Sequence, residues 1–230
     1  MKVAIFGSRG FLGSRIANAA VLRGWSVNHI GSSTSNAKEL VGESDAVIHS
    51  VGSFMPDKRY KQLVNEPVSL CNIAQLASMK LGLSSGNPLS RESFQELNFA
   101  SLKSAADDVR ATHFNNSQSD TRFPFVFISA TDWGLADPEY IRSKRTAEKY
   151  LEGLDFLRPV FLRPGFISPD MPHSCNQITP RNLLDRFLDF TESPYRVNVD
   201  AVAEAACDAV EDSSISGPVE AEVLRMFEDM

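Results

Sequence analysis

The hydrophobic pattern of the first fifty residues switches between two periods. "VAIF" (Val3 to Phe6) is an unbroken apolar run, as expected of a strand covered on both faces of a parallel sheet. "FLGSRIANAAVLRG" then carries Leu12, Ile16, Ala19 and Ala20 at helical spacing. "WSVNHIG" reads as a second strand, the segment from Asn36 to Gly42 as a short helix, and "DAVIHSVG" as a third strand. Strands alternating with helices predict βαβ units and a parallel sheet.

After Gly52 the alternation pauses. The connection from Ser53 to Ser90 is far longer than the handful of residues usual inside such domains. It holds Phe54, Met55, Leu63, Val64, Leu70, Ile73 and Leu81, so it is expected to contain helical pieces. It is expected to cover a sheet edge, to close over a ligand, or to dock on a partner. Lys58, Arg59, Tyr60 and Lys61 make a basic cluster that suits an acidic partner, lipid headgroups or plain solvent.

The pattern then resumes. "SRESFQELNFASLKSAADDVRA" predicts a long helix, with Ser90 or Ser93 as its cap. "FPFVFISA" predicts a buried strand ending in Ser129, and "DPEYIRSKRTAEKYLEGL" a helix between Pro138 and Gly153. "DFLRPVFLRPGFIS" predicts another strand, closing at Arg163, Pro164 and Gly165. "PRNLLDRFLDF" and "NVDAVAEAACDAVED" look amphipathic and helical, and "GPVEAEVLRMFE" gives a final strand or helix. The expectation is one α/β domain over residues 1–230, a doubly wound parallel sheet, with residues 165–230 forming a small C-terminal substrate or partner lobe.

Composition narrows the classes. At 230 residues with 43% hydrophobic residues, the chain has ample material for a core. A net charge of −6 argues against a nucleic-acid partner. The 3 cysteines (Cys71, Cys175 and Cys207) lie far apart, with no metal-ligand spacing, so no metal site and no disulfide framework is expected. No apolar stretch is long enough to cross a membrane. The first strand starts almost at Met1, so the expectation is a cytosolic protein, one that enters an organelle without an ordinary presequence, or a trimmed chain.

Chemistry enters at "GSRGFLG". Gly7, Gly10 and Gly13 sit between a buried strand and a helix, the arrangement of a dinucleotide-binding loop in a Rossmann fold. Gly7 allows the tight turn, Gly10 lets amides approach a pyrophosphate, and Gly13 lets helix and strand pack closely. Phe11 and Leu12 open the helix whose amides would face the phosphates. A dinucleotide would also meet Ser32 and Ser33 after the second strand, and Val51 and Gly52 after the third. NAD-specific sites place an acid after the second strand to accept from the ribose. Here Gly31-Ser32-Ser33-Thr34 brings no carboxylate before Glu39, and Arg9 is placed to pair with a 2′-phosphate. NADP(H) is therefore preferred, with NAD(H) second.

Tyr140 and Lys144 stand four positions apart on one helix and share a face. Ser129 ends the preceding strand, at the edge where ligands bind in open α/β sheets. An ordinary tyrosine, with a pKa of about 10, is a poor proton carrier at neutral pH, and a lysine cation beside it favours the phenolate. Such a set serves hydride transfer between a nicotinamide and a carbonyl or alcohol, with the serine orienting the substrate oxygen. The same residues also suit cofactor holding without turnover, and Ser129 also reads as a mere strand-end hydroxyl. Phe166, Phe187 and Phe190 are either pocket lining for a quinone ring or prenyl tail, or plain core. His49 and His113 carry no partner pattern and are expected to be packed or on the surface.

In this order, the glycine loop, the serine-ended strand, the Tyr140–Lys144 pair and "RPG" resemble the short-chain dehydrogenase/reductase superfamily, in its extended and atypical branches. Asn98 resembles the asparagine those branches carry in the helix before the serine strand. The stretches "VIHSVGSFMPDKRYKQLVNEP", "LGLSSGNP", "YIRSKRTAE", "RPVFLRPGFISPD" and "ITPRNLLD" look like a fungal mitochondrial family associated with coenzyme Q biosynthesis. That family is related to the nucleotide-binding accessory subunit of respiratory complex I. The resemblance implies a mitochondrial, matrix-side protein that binds NADP(H) or NAD(H) through Gly7 to Gly13, Lys144 and Pro164. It implies contacts with coenzyme Q biosynthetic proteins, a peripheral membrane contact and a quinone-ring or prenylated aromatic ligand. One departure stands out: the interval from Ser129 to Tyr140 is short for a dehydrogenase, so the serine need not meet the tyrosine. Without the resemblance, a cytoplasmic location is the default.

Overall fold

The computed structural model describes residues 1–52, 91–114, 122–132, 134, 138–168, 179, 189 and 193–229, with the main chain alone for 91–98. The expected connection from Ser53 to Ser90 lies outside the described residues, as do Cys71, Cys175, Phe187, Phe190 and the side chain of Asn98.

The chain runs β1 (Lys2–Phe6), α1 (Phe11–Leu22), β2 (Ser26–Ile30), α2 (Ala37–Gly42) and β3 (Ala46–His49). It continues with α3 (Arg91–His113), β4 (Phe123–Ile128), α4 (Pro138–Glu152), β5 (Leu157–Arg163) and β6 (Phe166–Ser168). The last elements are β7 (Arg196–Asn198), α5 (Val199–Glu211), β8 (Gly217–Glu220), α6 (Ala221–Arg225) and a 3-10 turn over Met226–Asp229. Six strands form one sheet in the order β2-β1-β3-β4-β5-β8, every pairing parallel. The doubly wound sheet expected from the alternation is present.

Apolar runs become strands here because both faces are covered. Val3, Ile5, Ile48, Val126, Ile128, Val160 and Leu162 point into a core shared with α1 and α5. Ala4, Phe6, Val47, Phe125, Phe127 and Phe161 point the other way, into a core with Leu102, Ala105 and Val109 of α3 and Ala147 and Leu151 of α4. On that second face the register aligns Ile30, Phe6, His49, Phe127 and Phe161 in one row across five strands.

The strand expected to close at Arg163, Pro164 and Gly165 does so, β5 ending at Arg163. Pro164 has no N–H with which to continue the ladder, although its carbonyl still accepts from the Thr131 amide at 3.0 Å. Past it the chain leaves the main sheet, and β6 pairs in parallel with β7 in a separate two-stranded sheet. Gly165 is what the departure requires, because a Cβ there would lie 2.4 Å from the Tyr195 carbonyl oxygen. The final segment, read as strand or helix, is both: β8 joins the main sheet beside β5 and α6 follows it. The C-terminal quarter is thus shared between the small sheet and the main fold, since α5 and β8 complete the latter.

Salt bridges and caps hold α5 in place. Arg23, at the end of α1, pairs with Glu204, Asp208 and Glu211 of α5. Arg158 of β5 donates to the carbonyls of Ala209, Val210, Asp212 and Ile215, closing the end of that helix. At its start, the Asn198 side chain accepts from the Asp200 amide, and Glu228 accepts from the Asn198 amide. Cys207 is a free thiol buried on α5, and burial pushes it up to about 12, so it stays protonated and inert.

Candidate functional site

The glycine loop follows β1 directly. Gly7 adopts φ +80°, the left-handed region that favours glycine, and its amide donates to Ile30 O at 2.8 Å. Gly10 donates to Gly7 O at 2.8 Å and serves as the N-cap of α1. A Cβ on Gly13 would lie 2.1 Å from Gly7 O and 2.8 Å from Ser50 Oγ, so the helix rests directly on the loop's main chain. Ser50 in turn donates to Phe6 O at 2.7 Å. Gly10 is less confined: a Cβ there would lie 3.1 Å from Gly7 O, a tight contact that a small shift relieves.

The start of α1 suits an anion. No side chain caps it and its first turn contains no carboxylate. The partial positive charge of this helix end is therefore not offset by a side-chain cap or a first-turn carboxylate. Leu12 is buried beneath, while Phe11 is 42% exposed above. A dinucleotide pyrophosphate fits this cradle.

Next to it, Gly31 donates to Thr34 Oγ1 at 3.0 Å and Thr34 donates back to Gly31 O at 3.1 Å. This closed turn presents Ser32 and Ser33 to solvent. Arg9 is exposed and has no hydrogen bond or ion pair among the described residues. Val51 is half-buried after β3, and Gly52 is exposed.

Tyr140 and Lys144 do share one face of α4. The Lys144 ammonium lies 5.6 Å from the Tyr140 ring centroid and 4.6 Å from that of Phe127. It donates to Ile128 O at 2.8 Å, and the residue is only 3% exposed. Burial pulls its pKa from the ordinary lysine value down to about 7, with the Glu148 charge opposing the fall. A lysine at that value exchanges its proton near neutral pH.

Ser129 goes elsewhere. Its hydroxyl donates to Glu148 Oε1 at 2.5 Å. The same carboxylate accepts from Arg145 at 2.7 Å and from Arg163 at 3.0 and 2.6 Å. Arg163 also reaches Glu220 of β8, so one buried cluster ties α4, β4, β5 and β8 together. The paired carboxylates hold Arg163 well above the usual arginine range. Thus the Tyr140–Lys144 pair is assembled as expected, while the Ser129 proton is committed to Glu148. Pro164 contributes its carbonyl to Thr131, and Phe166 sits half-buried on β6.

Glu148, Arg145 and Arg163 were not expected at the site. The available signal was Glu148 one turn beyond Lys144 on the same helix face, opposite a strand ending in arginine. Thr131 is a further hydroxyl on this edge. Its amide donates to Pro164 O, and its hydroxyl has no partner among the described residues. His49 is fully buried, as a packed histidine should be, and burial followed by the Lys144 charge lowers its pKa to about 3. No group of histidine, cysteine and carboxylate side chains among the described residues forms a metal site. No helix among the described residues is long and apolar enough to cross a membrane.

Solved structures share this architecture. The UDP-glucose 4-epimerase of Brucella ovis in complex with NAD superposes with a TM-score of 0.59 at 17% identity, over 95% of this chain and 76% of that one. A human epimerase family protein with NADPH gives 0.54 at 13% identity, over 96% and 73%. The fold is that of the NAD(P)-binding epimerases. By sequence, the chain is 28% identical over 225 residues to MIOREX complex component 2 of Saccharomyces cerevisiae, covering 82% of this chain and 79% of that protein. No family model matches. These relatives support the dinucleotide-binding fold and leave coenzyme Q biosynthesis without support.

Proposed function

We propose that the protein is an atypical short-chain dehydrogenase/reductase that binds NADP(H) across the Gly7–Gly13 loop and uses Tyr140 and Lys144 on a carbonyl or alcohol. The observation that carries the reading is the pair on α4. A buried lysine with a pKa of about 7 stands against a tyrosine ring, at the carboxyl edge that the glycine loop also reaches. When bound, the nicotinamide supplies a hydride donor or acceptor. Tyr140 Oη holds or takes the accompanying proton, and the Lys144 ammonium favours the phenolate and binds the nicotinamide ribose. Arg9, Ser32 and Ser33 recognise a 2′-phosphate, there being no carboxylate to repel it. Thr131, with its free hydroxyl, is better suited than Ser129 to donate to a substrate oxygen.

A second reading is a nucleotide-binding component without turnover. It is favoured by the Ser129–Glu148 bond, which removes the expected substrate-orienting proton. Membership of a multiprotein assembly follows by analogy with the yeast relative, a component of the MIOREX complex, and a mitochondrial location follows from the motif resemblance. A quinone-ring substrate and coenzyme Q biosynthetic partners rest on motif resemblance alone.

Parallel titrations with NADPH and NADH test the cofactor assignment. NADPH should bind more tightly, and Arg9→Ala should erase the preference. Tighter NADH binding by the wild type overturns it. Tyr140→Phe then separates the two functions, because it deletes the titrating hydroxyl and keeps the ring. Nucleotide turnover should collapse while binding persists; unchanged function in cells would favour the component without turnover.

A further inference from the structure

α4 delivers three side chains to three consecutive residues at the end of β4. Lys144 donates to Ile128 O at 2.8 Å, Glu148 accepts from Ser129 Oγ at 2.5 Å, and Arg145 donates to Ala130 O at 2.9 Å. Lys144 and Glu148 are four positions apart, so they lie on one face of the helix, and both are buried. With their heads anchored on adjacent residues of one strand end, ammonium and carboxylate stand within Coulomb range in a poorly solvated place. No ion pair joins them among the described residues, yet Glu148 is the charge that acts on Lys144.

Glu148 is fixed where it stands. Arg163 of β5 donates to both of its oxygens, at 3.0 and 2.6 Å, and Arg145 donates to Oε1 at 2.7 Å. Glu220 of β8 holds the other end of Arg163 at 2.5 Å. A carboxylate so held cannot swing away from the ammonium, and the fold sets the distance between the two charges. Among the described residues, the other groups around Lys144 bring no second counter-charge. Tyr140 of α4 and Phe127 of β4 offer ring faces, and Ile128 offers its carbonyl. His49 of β3 is neutral, burial followed by the Lys144 charge having lowered its pKa to about 3. On α3, Asp107 acts on Tyr150 and Asp108 on Lys38.

We propose that Glu148 is a positioning residue for the nucleotide site, its fixed carboxylate being the counter-charge that keeps the Lys144 ammonium protonated beside Tyr140. Burial alone favours the neutral amine, which can neither favour a phenolate nor hold a ribose as a cation. Arg145, Arg163 and Ser129 serve this role indirectly, by aiming the carboxylate. The inference deepens the proposed use of Tyr140 and Lys144 and rests on that reading for its functional meaning; the coupling of the two charges needs no nucleotide.

Lysine-selective ¹³C labelling of the full chain, with the Lys144 resonance assigned by its loss in Lys144→Met, reads the titration directly. Glu148→Gln keeps the shape and removes the charge, so burial acts unopposed and the Lys144 midpoint should fall by about one pH unit or more. A merely structural role gives the opposite sign: a loosened cluster admits water, and the midpoint rises towards the ordinary 10.5. A midpoint that rises or stays overturns the proposal. If Glu148→Gln fails to fold because it strands Arg163, the change is made in an Arg163→Met background. There the same fall must appear relative to Arg163→Met alone, and its absence overturns the proposal. Failure of NADPH to bind the wild type would overturn the proposed function and leave this result standing.

Discussion

Ser129 and Glu148, both buried, meet at 2.5 Å, with the partly exposed Arg145 and Arg163 on the same carboxylate. The bond fixes the strand-end hydroxyl as an anchor for α4. Ser129→Ala should therefore cost about 2 kcal/mol in denaturant unfolding, the range for a hydrogen bond to a charged group, and leave NADPH affinity within about twofold. Glu148→Ala should cost more, because it removes the buried carboxylate on which Ser129, Arg145 and Arg163 converge. Lost nucleotide affinity with unchanged stability in Ser129→Ala would place the hydroxyl at the ligand instead.

Lys144 makes stability depend on pH. Its pKa falls from 10.5 in the unfolded chain to about 7 in the fold, so the unfolded state binds more protons between those values. Stability should then rise with pH from about 7 to 10.5 and be lost as pH falls through 7. Lys144→Met should stabilise the protein by a few kcal/mol near neutral pH, and the gain should vanish towards pH 10.5. Chemical denaturation across that range measures it. A flat difference between the two proteins would mean that the ammonium is solvated.

The glycines of the loop should separate in their effects. Gly13→Ala puts a methyl 2.1 Å from a main-chain oxygen, so it should lower the melting temperature severely or prevent folding. Gly10→Ala meets its nearest atom at 3.1 Å and should fold. A bulkier Gly10→Val should fold as well and lose NADPH binding at least tenfold. Wild-type affinity in calorimetry would remove the loop from the nucleotide site.

Arg158 closes the end of α5 by itself. Replacing it with Met keeps the aliphatic stem but frees the carbonyls of Ala209, Val210 and Ile215. The expected cost is about 2 kcal/mol, from lost charged hydrogen bonds and the lost cation at a helix C-terminus. Thermal or denaturant unfolding checks it, and amide exchange should rise selectively over Val199–Glu211. No change in either would show that water serves those carbonyls equally well.

Much was readable from one dimension. Unbroken apolar runs in β1, β3 and β4 carry their own information, because only a parallel sheet covered on both faces buries every side chain of a strand. The glycine loop was readable for a similar reason. Local backbone geometry at Gly7 and close approach at Gly13 are demands on single positions, which only glycine meets. The Tyr140–Lys144 pair followed from helix periodicity alone.

What the sequence left open depended on contacts between segments distant in the chain. Where the chain went after the strand closed at Gly165 turned on Tyr195, thirty residues further on. Ser129 had two local readings, and the choice came from Glu148 and Arg163, delivered by a different helix and strand. His49, expected to be packed or on the surface, is packed, and the register sets it beside Phe127, on the ring that also carries Lys144. Propensity and periodicity are properties of neighbours along the chain. The charge state of a buried lysine and the partner of a serine proton are set by desolvation and by donors that only tertiary packing brings within 3 Å.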